Sequence, residues 1–124
     1  MSTAEQLIKW ACDKHGVDQK ALLSKNRREN LVRFRRMIAY ALRTVDEKKY
    51  SLKRLGKILG GRDHSTIRHG LKEMEYVREK DIRVRVTTKE MILQYREITE
   101  MKSAYIPDLG IDLSDYCFDV SYIE

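Results

Sequence analysis

Residues 51–77 read SLKRLGKILGGRDHSTIRHGLKEMEYV, two helical patterns separated by a glycine pair and an acid. Ser51 can accept from the free N–H groups at a helix start, and Leu52, Leu55 and Leu59 then recur on one helical face. Gly60-Gly61 stop that helix, because glycine tolerates the left-handed backbone in which helices commonly end. Asp63 can cap a second helix whose inward stripe is Ile67, Leu71, Met74 and Val77 or the neighbours of Arg78. Two helices meeting through so tight a turn form a helix-turn-helix at about 51–80. The outer face of the second helix holds Ser65, Arg68, His69 and Lys72, a set of hydrogen-bonding and charged groups suited to a DNA groove.

Other chemistries for GGRDHSTIRHG, residues 60–70, fail on spacing. A phosphate loop needs a lysine after its glycines and a strand before them; here no lysine follows and a helix precedes. His64 and His69 lie five residues apart, rotated by roughly 140° on a helix, and no third metal ligand accompanies them. A Ser/His pair would lack an orienting carboxylate and oxyanion donors. The sequence therefore predicts no catalytic residue, no metal and no cofactor. Helix caps with solvated histidines would account for 60–70 in isolation, but not for three separate basic elements: the 24–30 loop, an arginine face on the helix after it, and the outer face of 63–80. A groove-inserted helix needs such flanking cations to meet phosphates on both sides.

The rest of the chain reads as mainly α. Thr3 and Gln6 have capping-box spacing, Ala4, Leu7, Ile8, Ala11 and Cys12 share a face, and Gly16 offers a stop. Asp18 caps a short helix with Ala21 and Leu22 inward. SKNRREN, 24–30, has no periodicity and predicts an exposed loop. From Leu31 to Val45, Phe34, Ile38, Ala41, Leu42 and Val45 form a buried face, with Arg33, Arg36, Tyr40 and Arg43 on the rest. DIRVRV, 81–86, alternates with period two and predicts a short strand, followed by a helix capped by Thr87 and Glu90 with Met91, Ile92, Tyr95 and Ile98 inward. YCFDVSYI near the end alternates again, which allows a small β pairing with 82–86.

The 124 residues suit one domain, with a net charge of +6. All 25 basic residues fall in 1–104 beside 14 acids, a net of +11, whereas 105–124 holds five acids and no base. The domain reading is thus a helical body, 1–104, and an acidic, aromatic extension, 105–124. Tyr105, Tyr116, Phe118 and Tyr122 suggest that the extension packs on the body, where its acids would pair with Arg83 and Arg85 or shadow the DNA face. Cys12 and Cys117 follow no metal spacing and no apolar signal segment is present, so reduced thiols and a cytoplasmic setting are expected. No apolar run approaches the ~20 residues that span a bilayer, and no membrane partner is expected.

LLSKNRRENLVRFRRMIAYAL followed by SLKRLGKILGGRDHSTIRHGLKEME resembles the C-terminal DNA-binding domain of the bacterial replication initiator DnaA, whose signature contains Gly-Gly-Arg-Asp-His-Ser/Thr-Thr. The likeness runs from about residue 4 to 98. It implies a helix-turn-helix bundle of about six helices that binds double-stranded DNA at short sites, the DnaA boxes. By that resemblance Asp63, His64, Ser65 and Thr66 enter the major groove, and Arg27 lies in the minor groove. Asp can accept from a base amino group, Thr offers a methyl to thymine, and a guanidinium senses a narrow A·T-rich groove. Lys25, Arg35, Arg36 and Arg43 match backbone contacts, and Lys53, Arg68, His69 and Lys72 join them as phosphate-facing groups.

The sequence also departs from the family. Asn26, Glu29 and Glu73 stand where it usually has basic residues, Phe34 and Lys53 where it has frequent prolines, and two extra residues lengthen the 46–50 loop. These changes bear on which box sequence is preferred. With no Walker motif and no room for the ATP-binding motor, a free-standing copy is expected to regulate replication initiation or transcription by occupying boxes, as a repressor, a competitor or an adaptor at a host or phage origin. The alternative from another class is a protein-interaction module that acts on an initiator, on another replication protein or on its own copy through the extension. Oligomeric state is open at this level.

Overall fold

The computed structural model describes residues 2–99 as six helices: α1 (Thr3–His15), α2 (Gln19–Leu22), α3 (Glu29–Val45), α4 (Leu52–Ile58), α5 (His64–Lys80) and α6 (Ile82–Thr99). The extension 105–124, with its expected packing and strand, lies outside the described residues. Helix α3 is central. It packs against α6, α5 and α2, while α1 lies on α6 and α4 on α5. Its inward face, Phe34, Ile38, Ala41 and Leu42, meets Leu7, Ile8, Met91 and Ile92 in one apolar cluster.

The local signals mostly act as expected. Gly16 ends α1 at φ 66, and Asp18 and Ser51 cap α2 and α4 by accepting from Lys20 and Arg54 N–H groups. Two starts differ. The cap of α1 is Ser2, which accepts from the Glu5 N–H, so the Thr3–Gln6 pair lies one residue too far along. Helix α3 begins at Glu29, and the loop before it is ordered by the Ser24 hydroxyl and the Asn26 carboxamide accepting from backbone N–H groups two residues ahead.

The strand expected at 82–86 is a helix instead. Asp81 accepts from the Arg83 N–H and opens α6 directly after α5. Val84, Thr88, Met91, Ile92 and Tyr95 then share a buried face, which period two would divide, while Ile82 is exposed. Thr87 is therefore no cap: it sits inside α6, and its hydroxyl and that of Thr88 donate back to the Arg83 and Val84 carbonyls.

Two polar clusters hold α5 and the loop before α4 to this frame. Arg78 is buried, donates from Nε to Thr88 Oγ1 at 2.9 Å and from Nη1 to the Tyr40 hydroxyl at 2.7 Å, and lies over the Tyr40 ring. It joins α5 to α3 and α6. Tyr50 is buried edge-on against Tyr95 with their hydroxyls 2.8 Å apart, and burial pushes its phenol pKa up. That contact fixes the end of the 46–50 loop on α6.

Candidate nucleic-acid interface

The turn between α4 and α5 is built from backbone. The Gly60 N–H donates to the Lys57 carbonyl, and the Gly61 and Arg62 N–H groups both donate to the Gly56 carbonyl at 2.8 Å. Gly60 and Gly61 carry φ of 95° and 81°, the left-handed conformation that closes a helix this way. Gly60 is also a close approach, since a Cβ there would come 2.1 Å from the Leu23 carbonyl oxygen. The helix-turn-helix turn thus lies directly against the chain leaving α2.

Asp63 caps α5 by accepting from the Ser65 N–H at 3.1 Å, and its second oxygen lies 3.5 Å from His64 Nδ1. The Ser65 side chain and backbone hydrogen bonds hold the Asp63 carboxyl below the usual carboxylate range. A carboxylate has lone pairs for both a cap and an outside donor. Asp63, His64, Ser65 and Thr66 are all exposed at the N-terminus of α5, and Arg68, His69 and Lys72 continue outward along it.

Beside this end of α5 lies the 24–28 loop, and between them is a cleft of about 740 Å³ lined by Lys25, Arg27, Arg36, Asp63 and Thr66 among others. The structure brings those five predicted residues together, and Arg35 lines the same cleft. Arg27 is exposed, whereas Lys25 donates from Nζ to the Gly61 carbonyl at 3.0 Å, and the Arg36 stem packs against Gly70 of α5. Arg43 and Lys53 stand elsewhere. Arg43 donates to the Tyr50 carbonyl and pairs with Glu47, and Lys53 lines a separate shallow hollow with Arg54 and Lys57.

Arg35 corrects the sequence reading. It is 5% exposed, and its guanidinium donates to the Ala21, Leu22 and Ser24 carbonyls, so it supports the loop from within. Arg62, which periodicity did not single out, does the same from the other side by donating to the Leu59 and Ser24 carbonyls. Burial lowers the pKa of both, and Arg62 adds repulsion at Arg35. The sequence signal for Arg62 is slight: an arginine between a glycine turn and a cap, where either neighbour could have claimed it.

A tight turn, an exposed polar helix start and a basic loop across a cleft from it define a helix-turn-helix DNA-binding domain. A family profile described as bacterial DnaA protein helix-turn-helix matches residues 4–74, from α1 into α5. The chain belongs to that family. It is 35% identical over 83 residues to the chromosomal replication initiator protein DnaA of Herpetosiphon aurantiacus, covering 67% of this chain and 17% of that protein. Identity to the protein of the same name from Jannaschia sp. is 30% over 82 residues, 66% of this chain and 17% of the other. The Chloroflexus aurantiacus protein is 31% identical over 83 residues, again 67% and 17%. The chain thus spans about a sixth of the length of these relatives. No solved structure matches it significantly. Among the described residues no helix is long and apolar enough to cross a membrane.

Proposed function

We propose that the chain binds double-stranded DNA at DnaA-box-like sites and regulates replication initiation or transcription by occupying them. In this reading the N-terminus of α5 enters the major groove, where Asp63, His64, Ser65 and Thr66 meet base edges. Arg27 reaches the adjacent minor groove. Arg36, Arg68, His69 and Lys72 meet phosphates flanking α5, Lys53 meets them from the exposed face of α4, and Arg43 steadies the 46–50 loop beside it. Lys25 turns partly inward, to the turn carbonyls, while keeping its charge at the cleft.

The observation that carries this reading is the placing of Arg27 across one cleft from Asp63 and Thr66. A strand of DNA backbone separates a major groove from its neighbouring minor groove, and a basic cleft between two readers suits that strand. The test is a gel shift at near-physiological salt with a box-containing duplex and a scrambled one. The expected result is binding to the box at least about 10³-fold tighter than to the scramble. Equal, weak binding to both would overturn the reading and favour the protein-interaction alternative.

A further inference from the structure

We propose that Arg62, with Arg35 behind it, is a positioning residue that locks the 24–28 loop to the helix-turn-helix turn, so that the two DNA readers are held at one fixed spacing. This rests on the DNA-reading roles proposed above. The Ser24 carbonyl accepts from both guanidiniums, Arg35 from the α3 side and Arg62 from the turn. Lys25 returns the contact by donating to the Gly60 and Gly61 carbonyls at 3.4 and 3.0 Å. Where Leu23 meets Gly60 the two backbones are in direct contact, with Arg62 Nη1 beside them.

Two cations gathered at one carbonyl repel each other and forgo solvent, a poor arrangement for stability alone. It has a clear geometric effect. Ser24 lies three residues before Arg27, and Arg62 immediately precedes Asp63, so the brace ties together the two chain segments from which the readers project. DNA supplies a stiff ruler on the other side: one inserted base pair moves the flanking groove by about 3.4 Å along the axis and rotates it by roughly 35°. A braced loop cannot follow that displacement, and a released loop can. Specificity then includes the spacing between the A·T-rich flank and the bases read by α5.

The experiment uses the full chain with Arg62→Ala and the charge-keeping Arg62→Lys, whose shorter side chain lacks the two separate nitrogens, Nη1 and Nη2, that reach the Leu59 and Ser24 carbonyls. On DNA, one base pair is inserted between the two parts of the preferred site. The unaltered protein should lose about tenfold or more in affinity, and the Arg62 variants no more than about twofold. In a double-mutant cycle, Arg62→Ala added to Arg27→Ala should cause no further loss of A·T preference, because both act on one reader. Without DNA, trypsin should cut after Lys25, Arg27 and Arg28 about tenfold faster in the Arg62 variants, with cutting after Lys53 and Lys57 unchanged.

An unchanged insertion penalty, or additive effects of the two substitutions, would overturn the inference. Cleavage of the loop at the original rate would do so whatever the DNA results. Should Arg27→Ala leave A·T preference intact, the minor-groove role of Arg27 falls, and the fixed-spacing inference falls with it even if the loop opens. Arg62→Lys keeps the positive charge, so a uniform loss of affinity confined to Arg62→Ala with a shallower salt slope would reassign Arg62 to a phosphate contact.

Discussion

Replacing Gly56 by alanine separates helix propensity from tertiary packing, because the two predict opposite signs. Gly56 lies inside α4, where glycine to alanine favours the helix by about 1 kcal/mol. The position is buried, and an added Cβ would stand 2.1 Å from the Arg62 carbonyl oxygen and 3.1 Å from its carbon. At least about 1 Å of separation must be regained, by backbone that cannot rotate away as a side chain would. Overpacking of this kind costs about 1–3 kcal/mol, and the two N–H bonds to the Gly56 carbonyl stand to weaken by about 1 kcal/mol together. Net destabilisation is therefore about 1–3 kcal/mol, a drop in Tm of roughly 5–20 °C for a domain of this size. Thermal unfolding followed by circular dichroism measures it. The displaced Arg62 segment leads straight into Asp63, so the preference for a box over a scrambled duplex should fall as well. A Tm equal to or above that of the unaltered protein would refute the packing argument and show that the turn does not rest on α4.

Three further outcomes are expected. His64→Ala should cost about 1–3 kcal/mol on the preferred DNA site and much less on random duplex, measured by titration; equal losses on both would reassign His64 to general charge or stability. Glu29→Arg should tighten binding to all duplexes and steepen the salt dependence by about one phosphate contact, while losing about 0.3–1 kcal/mol of stability because Glu29 is the acid in the first turn of α3; unchanged affinity would place the start of α3 away from the DNA. Cys12 is buried, and burial, helped by Asp13 and Asp18, pushes its thiol up to about 11. It should resist alkylation at about pH 8 until the protein unfolds, and because the folded state holds its proton longer, its share of stability is present below about pH 9 and lost as pH rises through 11. Prompt labelling of the folded chain would contradict the burial.

The helix-turn-helix was legible because its determinants are local. Ser51, Asp63 and the Gly60-Gly61 pair act through hydrogen bonds that close within five residues or fewer, and the stripes that name the inward faces need no partner to be seen. The same reasoning failed at 82–86, where Ile82, Val84 and Val86 match a strand as well as a helix over so short a run. The choice came from distant contacts: Val84, Thr88, Met91 and Tyr95 must face one way to meet α1 and α3.

For the interface, the sequence by itself determined which residues are charged and which sit at a helix start, and so it pointed to the basic 24–30 loop and the outer face of the second helix; Arg27 and 63–66 were singled out by the family resemblance. It could not say which cations are free to face DNA. Arg35 and Arg36 are neighbours on one helix and both line the cleft, yet Arg35 is buried with its guanidinium on the carbonyls of the α2 end, whereas Arg36 is only half-buried and packs its stem against α5. Arg62 and Lys25 likewise bond to backbone more than 30 residues away. A guanidinium or ammonium satisfies carbonyl and phosphate oxygens with the same N–H groups, so its role depends on which oxygen the fold brings within reach, and only the tertiary structure decides that.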